Sequence, residues 1–341
     1  MGNRTQAVLV GSETLLGREI RDIASSVAPE LELRLLAADQ EKPGTLTRLG
    51  DEAAVLEPLE AESLSDAHIV FLAGSAHSSQ KALAIEDELE DADRASLIDL
   101  TYAAEDRPDA RLRAPAVETE PSDDEEPERP VQVIAHPAAI ALALFLRRLH
   151  MHDPIRRSVI QILAPASEHA TAGVEELQSQ TVSLLSFKSM PHAVFDAQLG
   201  FNLLARYGEE APVSLEESEL RIERHLATLL NLPGYGEGAP MPSMQLIQAP
   251  VFHGYSFSAW VEFESNPGLE AIESSLVSPS IEVRGSEFDP PTNVGQAGQS
   301  GIAVGGITMD RNDPEACWFW LAADNLRLMA ENAVAAAKEI L

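Results

Sequence analysis

Short apolar runs alternate with segments of helical periodicity through the first hundred residues. Apolar and β-branched runs predict strands at 6–10, 32–37, 68–73 and 96–100. Between them, apolar residues recur at helical spacing after Gly11, and a second helix is predicted at 79–89. Strands that alternate with helices indicate a parallel, doubly wound sheet, so the pattern predicts an α/β fold.

The pattern resumes at residue 131. Strands are predicted at 131–135, 158–164, 244–252, 257–264 and 301–309. Helices are predicted at 138–150, 171–185, 215–230 and 322–341, the last because alanine has a high helix propensity. Proline, glycine and asparagine cluster at 289–301, which predicts a loop.

Residues 103–130 interrupt the alternation of strands and helices. This segment is rich in Pro, Asp and Glu and poor in large apolar residues. Such a composition is typical of a solvated surface loop, because it offers little apolar surface to bury. An acidic tether for a basic protein partner is the alternative interpretation.

Composition and charge exclude several classes of function. The chain has 341 residues and a net charge of −31, so its surface repels nucleic-acid phosphates and anionic lipid headgroups. Its start does not resemble a signal peptide, and we find no apolar run of about 18 residues, as a membrane span requires. The single cysteine, Cys317, cannot form an intramolecular disulfide, which favours a cytoplasmic location.

A glycine turn follows the first predicted strand, with Gly11 and Gly17 where a dinucleotide turn needs them. Its middle carries Glu13 and Thr14, and a carboxylate directed at a pyrophosphate would repel it. A turn that binds no ligand is therefore an open alternative. Asp39 follows the second strand, where an acidic residue can bind the ribose 2′-hydroxyl of NAD and reject the 2′-phosphate of NADP. It is otherwise an exposed residue at a strand end.

Six motifs in order along the chain resemble those of the aspartate-β-semialdehyde dehydrogenase family, most closely its degenerate branch of unknown function. They are VLVGSETLLG at 8–17, AHPAAI at 135–140, ASEHATAGVEEL at 166–177, AQLGFNLL at 197–204, QAPVFHGYS at 248–256 and LAADNLRLMAENAV at 321–334. Together they span nearly the whole chain, and this ordered set is more specific than any one motif.

The resemblance implies two domains. Residues 1–134 and the C-terminal helix 322–341 would form a Rossmann-like dinucleotide-binding domain, with the acidic loop 103–130 just before the second domain. Residues 135–321 would form a mixed-sheet α/β domain that carries catalysis and dimerisation, which implies a homodimer. The cofactor positions would be Gly11, Gly17, Asp39, Gly74 and Asn325, although no cofactor follows firmly; NAD is favoured over NADP.

The resemblance also places the family's catalytic groups on residues of different chemistry. The cysteine nucleophile falls at Ala139, the glutamine at Ala164, the substrate-binding arginine at Gln248 and the acid–base histidine at Tyr255. Alanine offers no lone pair, glutamine no cationic fork, and a tyrosine with an ordinary pKa of about 10 is a poor base near neutrality. The sequence therefore predicts a protein without the family's classical activity, in which Cys317 belongs to the core.

Other charged positions keep two alternatives open. Glu217 and Glu223 stand where the family has glutamates beside the substrate, and Glu219 replaces a lysine that binds phosphate. His136 and His169 would flank the old site, beside Glu168, and could support a new acid–base reaction; no metal site is predicted. The leading hypothesis is a non-catalytic dimer that binds a ligand or a protein partner. The alternatives are an enzyme with altered chemistry and a conventional enzyme that uses Cys317.

Overall fold

The computed structural model describes residues 5–50, 52–90, 94–118, 130–233 and 238–341. The chain divides into two compact units, one formed by Met1–Ala135 with Met329–Leu341 and the other by His136–Leu328. The domain boundary predicted between residues 134 and 135 differs by one residue from the observed boundary between Ala135 and His136. At the C-terminal end, residues 322–328 belong to the second unit and not to the first.

The first unit is built on a six-stranded parallel sheet with helices in its crossover connections. The strands of the unit are β1 Thr5–Val10, β2 Leu31–Leu36, β3 Leu46–Leu49, β4 Glu52–Val55, β5 Ile69–Leu72, β6 Ser96–Asp99, β7 Ala110–Arg113 and β8 Val131–Ile134. Strands β3 and β4 form a separate two-stranded antiparallel sheet. The sheet order is β2-β1-β5-β6-β8-β7. Helices α1 Leu15–Val27, α2 Ala61–Leu64 and α3 Ala76–Glu88 connect the early strands. Strand β5 and the last four residues of β1 are fully buried, as expected for a parallel sheet covered on both faces. This confirms the predicted Rossmann-like α/β fold.

The predicted loop at 103–130 is wrong for its first part. Ala110–Arg113 forms the edge strand β7, paired in parallel with β8, and Ala104 and Val117 are buried. The polar sequence of β7 fits this place because the Arg113 guanidinium donates to Glu118 and to Gln132. Residues 119–129 of the predicted loop lie outside the described residues.

The second unit contains a six-stranded mixed sheet of order β10-β9-β11-β14-β13-β12. The strands are β9 Ile155–Ala164, β10 Ser243–Gln248, β11 Tyr255–Phe263, β12 Ile281–Arg284, β13 Ile302–Met309 and β14 Ala316–Ala323. Its helices are α4 Pro137–His152, α5 Ala170–Leu185, α6 Leu215–Leu230, α7 Leu269–Leu276 and α8 Asn293–Gln296. Helix α9 Asn325–Ile340 begins in this unit and continues as part of the first unit, which includes Met329–Leu341. Strands β9 and β10 are parallel, as are β12 and β13, whereas β11 and β14 pair antiparallel with their neighbours.

Two of the element boundaries that differ from the predictions have clear physical reasons. Strand β10 ends at Gln248, because Pro250 has no N–H with which to continue the ladder. The C-terminal helix begins at Asn325 and not at 322, since Ala322 and Ala323 still pair with β11. Asp324 then accepts hydrogen bonds from the first backbone N–H groups of α9, as a helix N-cap residue does.

The mixed sheet presents large apolar side chains on one face. Trp260 of β11 pairs in register with Val159 of β9 and with Trp318 of β14, so all three side chains lie on the same face. Val159 is 47% exposed and Trp318 is 43% exposed. Among the described residues, no helix is long and apolar enough to cross a bilayer.

Candidate functional site

His136 begins helix α4 and forms the N-cap that orients the site. Its ring Nδ1 accepts a hydrogen bond from the Ala138 backbone N–H at 3.2 Å, and Pro137 occupies the first helical position, where its missing N–H costs nothing. The His136 backbone N–H donates to Nδ1 of His225 on α6, over 2.9 Å. Ala139, three residues after His136, is fully buried in the first turn of α4.

Glu168 lies between His136 and Tyr255 and binds both side chains. Its Oε1 is 2.7 Å from His136 Nε2, and its Oε2 accepts the Tyr255 hydroxyl at 2.5 Å. Because Nδ1 of His136 is an acceptor, the ring proton resides on Nε2 and is donated to Glu168. Burial raises the pKa of Glu168, but the electrostatic interaction with the His136 imidazole and the hydrogen bonds from His136 and Tyr255 outweigh burial and lower this pKa to about 2. Glu168 is therefore an ionised, doubly hydrogen-bonded carboxylate at neutral pH.

A second hydrogen-bonded chain runs from His169 through Tyr207 to Gln248. The Tyr207 hydroxyl donates to Gln248 Oε1 over 2.7 Å and lies 2.8 Å from His169 Nε2. Since a hydroxyl has one proton, His169 Nε2 must be the donor in the second contact. Burial lowers the pKa of His169 and raises that of Tyr207, so both side chains are neutral near pH 7.

Gln248 uses its whole amide group within the protein. Its Nε2 donates to the carbonyl of Ala164 at 2.9 Å and to that of Ala249 at 3.2 Å, while Oε1 accepts from Tyr207. An amide has two N–H donors, and both are engaged. The side chain that replaces the predicted substrate arginine is thus part of the packed interior, with 0% exposure.

One end of the mixed sheet brings together positions that the motifs assign to the family's catalytic groups. Ala164 ends β9 and pairs in register with Gln248, which ends β10, and Tyr255 begins the antiparallel strand β11. The Glu168 contacts then connect Tyr255 to His136 and so to the first turn of α4, which carries Ala139. The ordered motifs therefore predict four residues that converge on one region of the second unit.

Cys317 lies far from this region. Tyr255 pairs with Ala323 of β14, whereas Cys317 pairs with Val261. Cys317 is therefore six residues along the strand from the position that faces Tyr255, a distance of about 20 Å. It is fully buried beside Met309 and Asn266, and burial raises its thiol pKa. This placement contradicts the hypothesis of a conventional enzyme that uses Cys317.

The turn that carries Glu168 and His169 contains a strained residue. Ala170 has φ 51° and ψ −147°, a region that glycine tolerates and alanine rarely adopts. Gly173 fits closely beneath the turn, since a Cβ there would collide with the Ala166 carbonyl. The strain indicates that surrounding packing holds Glu168 in position.

Three of the remaining predicted residues of the second unit, Glu217, Glu219 and Asn325, have hydrogen-bond partners. Glu217 is exposed and forms a reciprocal capping box with Ser214 at the start of α6, Glu223 is half-buried on the same helix, and Glu219 accepts the Leu246 backbone N–H. Asn325 Oδ1 accepts from the Gly254 N–H at 3.1 Å and lies 3.2 Å from Ser167 Oγ. These contacts bring Asn325 to the turn before Glu168 but leave Glu217 outside the described network.

The glycine turn of the first unit has the backbone expected for close approach. Gly11 has φ 85°, and a Cβ there would collide with the backbone of Gly74. Thr14 is the N-cap of α1, and its Oγ1 accepts from Gly17 N–H at 2.9 Å. Asp39 is exposed and accepts the Ser75 hydroxyl at 2.5 Å.

Glu13 does not point freely into the turn as the sequence suggested. Its carboxylate accepts from Thr47 Oγ1 at 2.7 Å and pairs with Arg18 and Arg21. Burial raises the pKa of Glu13, but the hydrogen bonds from Thr47 and Arg21 and the charges of Arg21 and Arg18 outweigh burial, so the pKa is lowered overall. The charge of Glu13 is thus compensated locally.

A different carboxylate occupies the turn. Glu41 Oε1 accepts the Glu13 backbone N–H at 2.8 Å, and Glu41 Oε2 accepts the Ala38 N–H at 3.0 Å. In a dinucleotide site such donors face the ligand's anionic groups. Because an internal anion already binds them, the described turn does not fit a phosphorylated nucleotide without rearrangement. Within the described residues, no group of three or more His, Cys, Asp or Glu side chains is arranged to hold a metal.

Tyr207, His225 and Glu41 are the residues that sequence reasoning missed. Tyr207 lies 41 residues from Gln248, and Glu41 lies 28 residues from Glu13. His225 is one of nine histidines in the chain, and the helical spacing of α6 gives no sign that it faces His136. Only tertiary contacts identify these three residues.

Comparisons with known proteins agree with the ordered motifs. Residues 146–328, just over half of the chain, match the family model for the semialdehyde dehydrogenase dimerisation domain. The chain is 26% identical over 352 residues to the aspartate-semialdehyde dehydrogenase of Prochlorococcus marinus, across 99% of this chain and 96% of that protein. It is 29% identical over 325 residues to the USG-1 protein homolog of Azotobacter vinelandii, across 94% and 92%.

A solved structure extends this likeness to the whole fold. The probable aspartate-semialdehyde dehydrogenase from Pseudomonas aeruginosa matches with a TM-score of 0.81 and 25% identity, covering 99% of this chain and 98% of that one. The order of motifs, the two sheets and the matched dimerisation domain therefore lead to one conclusion: the chain belongs to the aspartate-semialdehyde dehydrogenase family.

Proposed function

We propose that this protein is a non-catalytic, dimeric member of its family that acts by binding. One observation carries the proposal: the methyl group of Ala139 is buried where the motifs place the nucleophile, and the single thiol of the chain, Cys317, is about 20 Å from Tyr255 along the sheet. Without a thiolate at the site, no thioester intermediate can form there.

The hydrogen bonds around the site support the same proposal. The Tyr255 hydroxyl donates to Glu168, and both N–H groups of Gln248 bind backbone carbonyls. Neither side chain therefore has a donor left to bind a substrate carboxylate. The ionised Glu168 adds a negative charge, which disfavours the anionic substrates of the classical reaction.

The open face of the mixed sheet supports dimerisation with a second copy. Val159, Trp260 and Trp318 present apolar surface on that face, within the segment that matches the dimerisation domain. We expect Trp318→Asp to convert a dimer into a monomer in light scattering after size exclusion. Leu46→Asp, at an even more exposed apolar position of the first unit, is the control. A Trp318→Asp protein that stays dimeric would place the interface elsewhere.

A cofactor is not required for this proposal, and NAD is favoured over NADP if a dinucleotide binds. Asp39 and Glu41 supply carboxylates near the glycine turn, and both would repel a 2′-phosphate. A cytoplasmic location stays a prediction.

The direct experiment measures reduction of NADP, and in parallel of NAD, at 340 nm with aspartate semialdehyde and phosphate. We expect the protein to give the same rate as the enzyme-free reaction, while an active family member in a parallel cuvette turns the substrate over. The matched variant combines Ala139→Cys, Gln248→Arg and Tyr255→His and tests whether the scaffold accepts the chemistry again. Turnover by the unmodified protein, lost after Cys317→Ser, would overturn the proposal.

An enzyme with altered chemistry is the second candidate. The contact of His136 and Tyr255 with one carboxylate favours it, because such a network can move a proton. Titration calorimetry with NAD and with NADP tests its redox form. Saturable heat with either would support this candidate, and no heat with either would exclude its redox form.

A further inference from the structure

The first unit carries an internal carboxylate where its fold would hold a nucleotide. The glycine turn keeps the close approach of Gly11 to Gly74, which is the backbone feature a dinucleotide turn needs. Its polar groups, however, bind one another. This disagreement between backbone and side chains concerns the first unit alone and does not depend on whether the second unit is catalytic.

Glu41 joins two separate elements through its two oxygens. Oε1 accepts the N–H of Glu13 in the turn between β1 and α1, and Oε2 accepts the N–H of Ala38 just after β2. The contact with Glu13 spans 28 residues of sequence, so it depends on the tertiary fold. In a nucleotide site of this topology, the adenosine ribose and its substituents lie between these same two elements.

Two arginines beside the turn are also engaged. Arg21 is 12% exposed at its side chain and pairs with Glu13, and Arg18 lies 3.3 Å from the same carboxylate. Asp39 adds a further carboxylate, which accepts the Ser75 hydroxyl. A 2′-phosphate needs a cation or several N–H donors, and the cations and donors described here already bind carboxylates of the chain.

We propose that Glu41 is an internal anion that occupies the adenosine 2′-phosphate subsite and excludes 2′-phosphorylated nucleotides. Its carboxylate takes the place of the phosphate on the Glu13 and Ala38 N–H groups and adds repulsion. Removing the Glu41 carboxylate frees both donors while the Gly11–Gly74 approach stays in place. Glu41 is thus the residue that prevents NADP from binding at this turn.

Titration calorimetry with adenosine 2′,5′-bisphosphate tests the proposal, with adenosine 5′-monophosphate as the ligand that lacks the 2′-phosphate. The unmodified protein should give no saturable heat with the bisphosphate at millimolar concentration. Glu41→Ala should bind the bisphosphate at least about tenfold more tightly, since two N–H donors become free and one repulsive charge is lost. Affinity for the monophosphate should change less.

Two further variants distinguish a local effect of Glu41 on bisphosphate affinity from an effect of the protein's overall charge, and thermal melts exclude an effect of misfolding. Glu60→Ala removes one exposed carboxylate of the same unit and should leave bisphosphate affinity unchanged. Glu41→Gln keeps the size of the side chain and one acceptor, so its gain should lie between those of the unmodified protein and Glu41→Ala. Thermal melts of each variant show that the fold is retained.

Three results would overturn the proposal. They are saturable binding of the bisphosphate by the unmodified protein, no gain in a folded Glu41→Ala protein, and an equal gain in Glu60→Ala. Each is a binding result on the first unit. Turnover of aspartate semialdehyde with NAD would instead overturn the proposed function alone, so the two failures are distinguishable.

Discussion

Replacing Glu168 with glutamine should destabilise the second unit, by an amount that depends on pH. The carboxylate accepts one hydrogen bond from His136 and one from Tyr255. Glutamine has one acceptor oxygen, so its NH₂ group must face one of these two donors. Hydrogen bonds to a charged group contribute about 1.5–3 kcal/mol each, so Glu168→Gln should cost about 2–4 kcal/mol at pH 7.

The pH dependence follows from the direction of the Glu168 pKa shift. The pKa is lowered from 4.5 to about 2 in the folded protein, so the folded state favours the ionised form. The resulting stabilisation, about 3 kcal/mol, is fully present above the unfolded pKa. It is lost as pH falls from about 5 towards 2, and the difference between the unmodified protein and Glu168→Gln should shrink over that window.

Urea denaturation followed by tryptophan fluorescence measures this difference. The chain has three tryptophans, Trp260, Trp318 and Trp320, and all belong to the second unit, so the signal reports the unit that contains Glu168. Glu217→Gln, at the exposed capping box of α6, is the control and should cost less than about 1 kcal/mol. A Glu168→Gln cost that is the same at pH 6 and pH 3 would refute the reasoning.

Two further substitutions test the packing around the site. Ala170→Gly should raise the free energy of unfolding by about 1 kcal/mol, because φ 51° and ψ −147° strain an alanine; a loss in the urea midpoint would contradict the assigned strain. Arg147 is buried and donates to three carbonyls at the C-terminal end of α6, so Arg147→Ala should cost about 3 kcal/mol. Arg156→Ala, at a side chain that is 68% exposed, should cost less than about 1 kcal/mol, and equal costs would contradict the role given to Arg147.

Local patterns were sufficient to predict most of the two sheets. Strands such as β1 and β5 are continuous apolar runs because both faces are buried, and this property is visible in the sequence. Strand β7 was missed for the opposite reason. The charge of Arg113 looks incompatible with a sheet until Glu118 and Gln132 are seen beside it, and those contacts depend on tertiary structure.

The candidate site was likewise only partly predictable from the sequence. The motif order places Ala139, Ala164, Gln248 and Tyr255 without any structural information, because each motif carries its own spacing. The partners that determine their chemistry could not be predicted in that way. Tyr207 fixes the orientation of the Gln248 amide, and Glu41 changes the interpretation of the whole glycine turn.

Trapping of a covalent intermediate tests the central claim most directly, because the claim is that no nucleophile stands at the site. The protein is incubated with aspartate semialdehyde and, in parallel samples, NAD or NADP without phosphate, so that a thioester would accumulate with formation of the reduced nucleotide, and its intact mass is then measured. We predict an unmodified mass and no reduced nucleotide in either sample. A hydroxylamine-sensitive adduct that forms together with the reduced nucleotide would contradict the account.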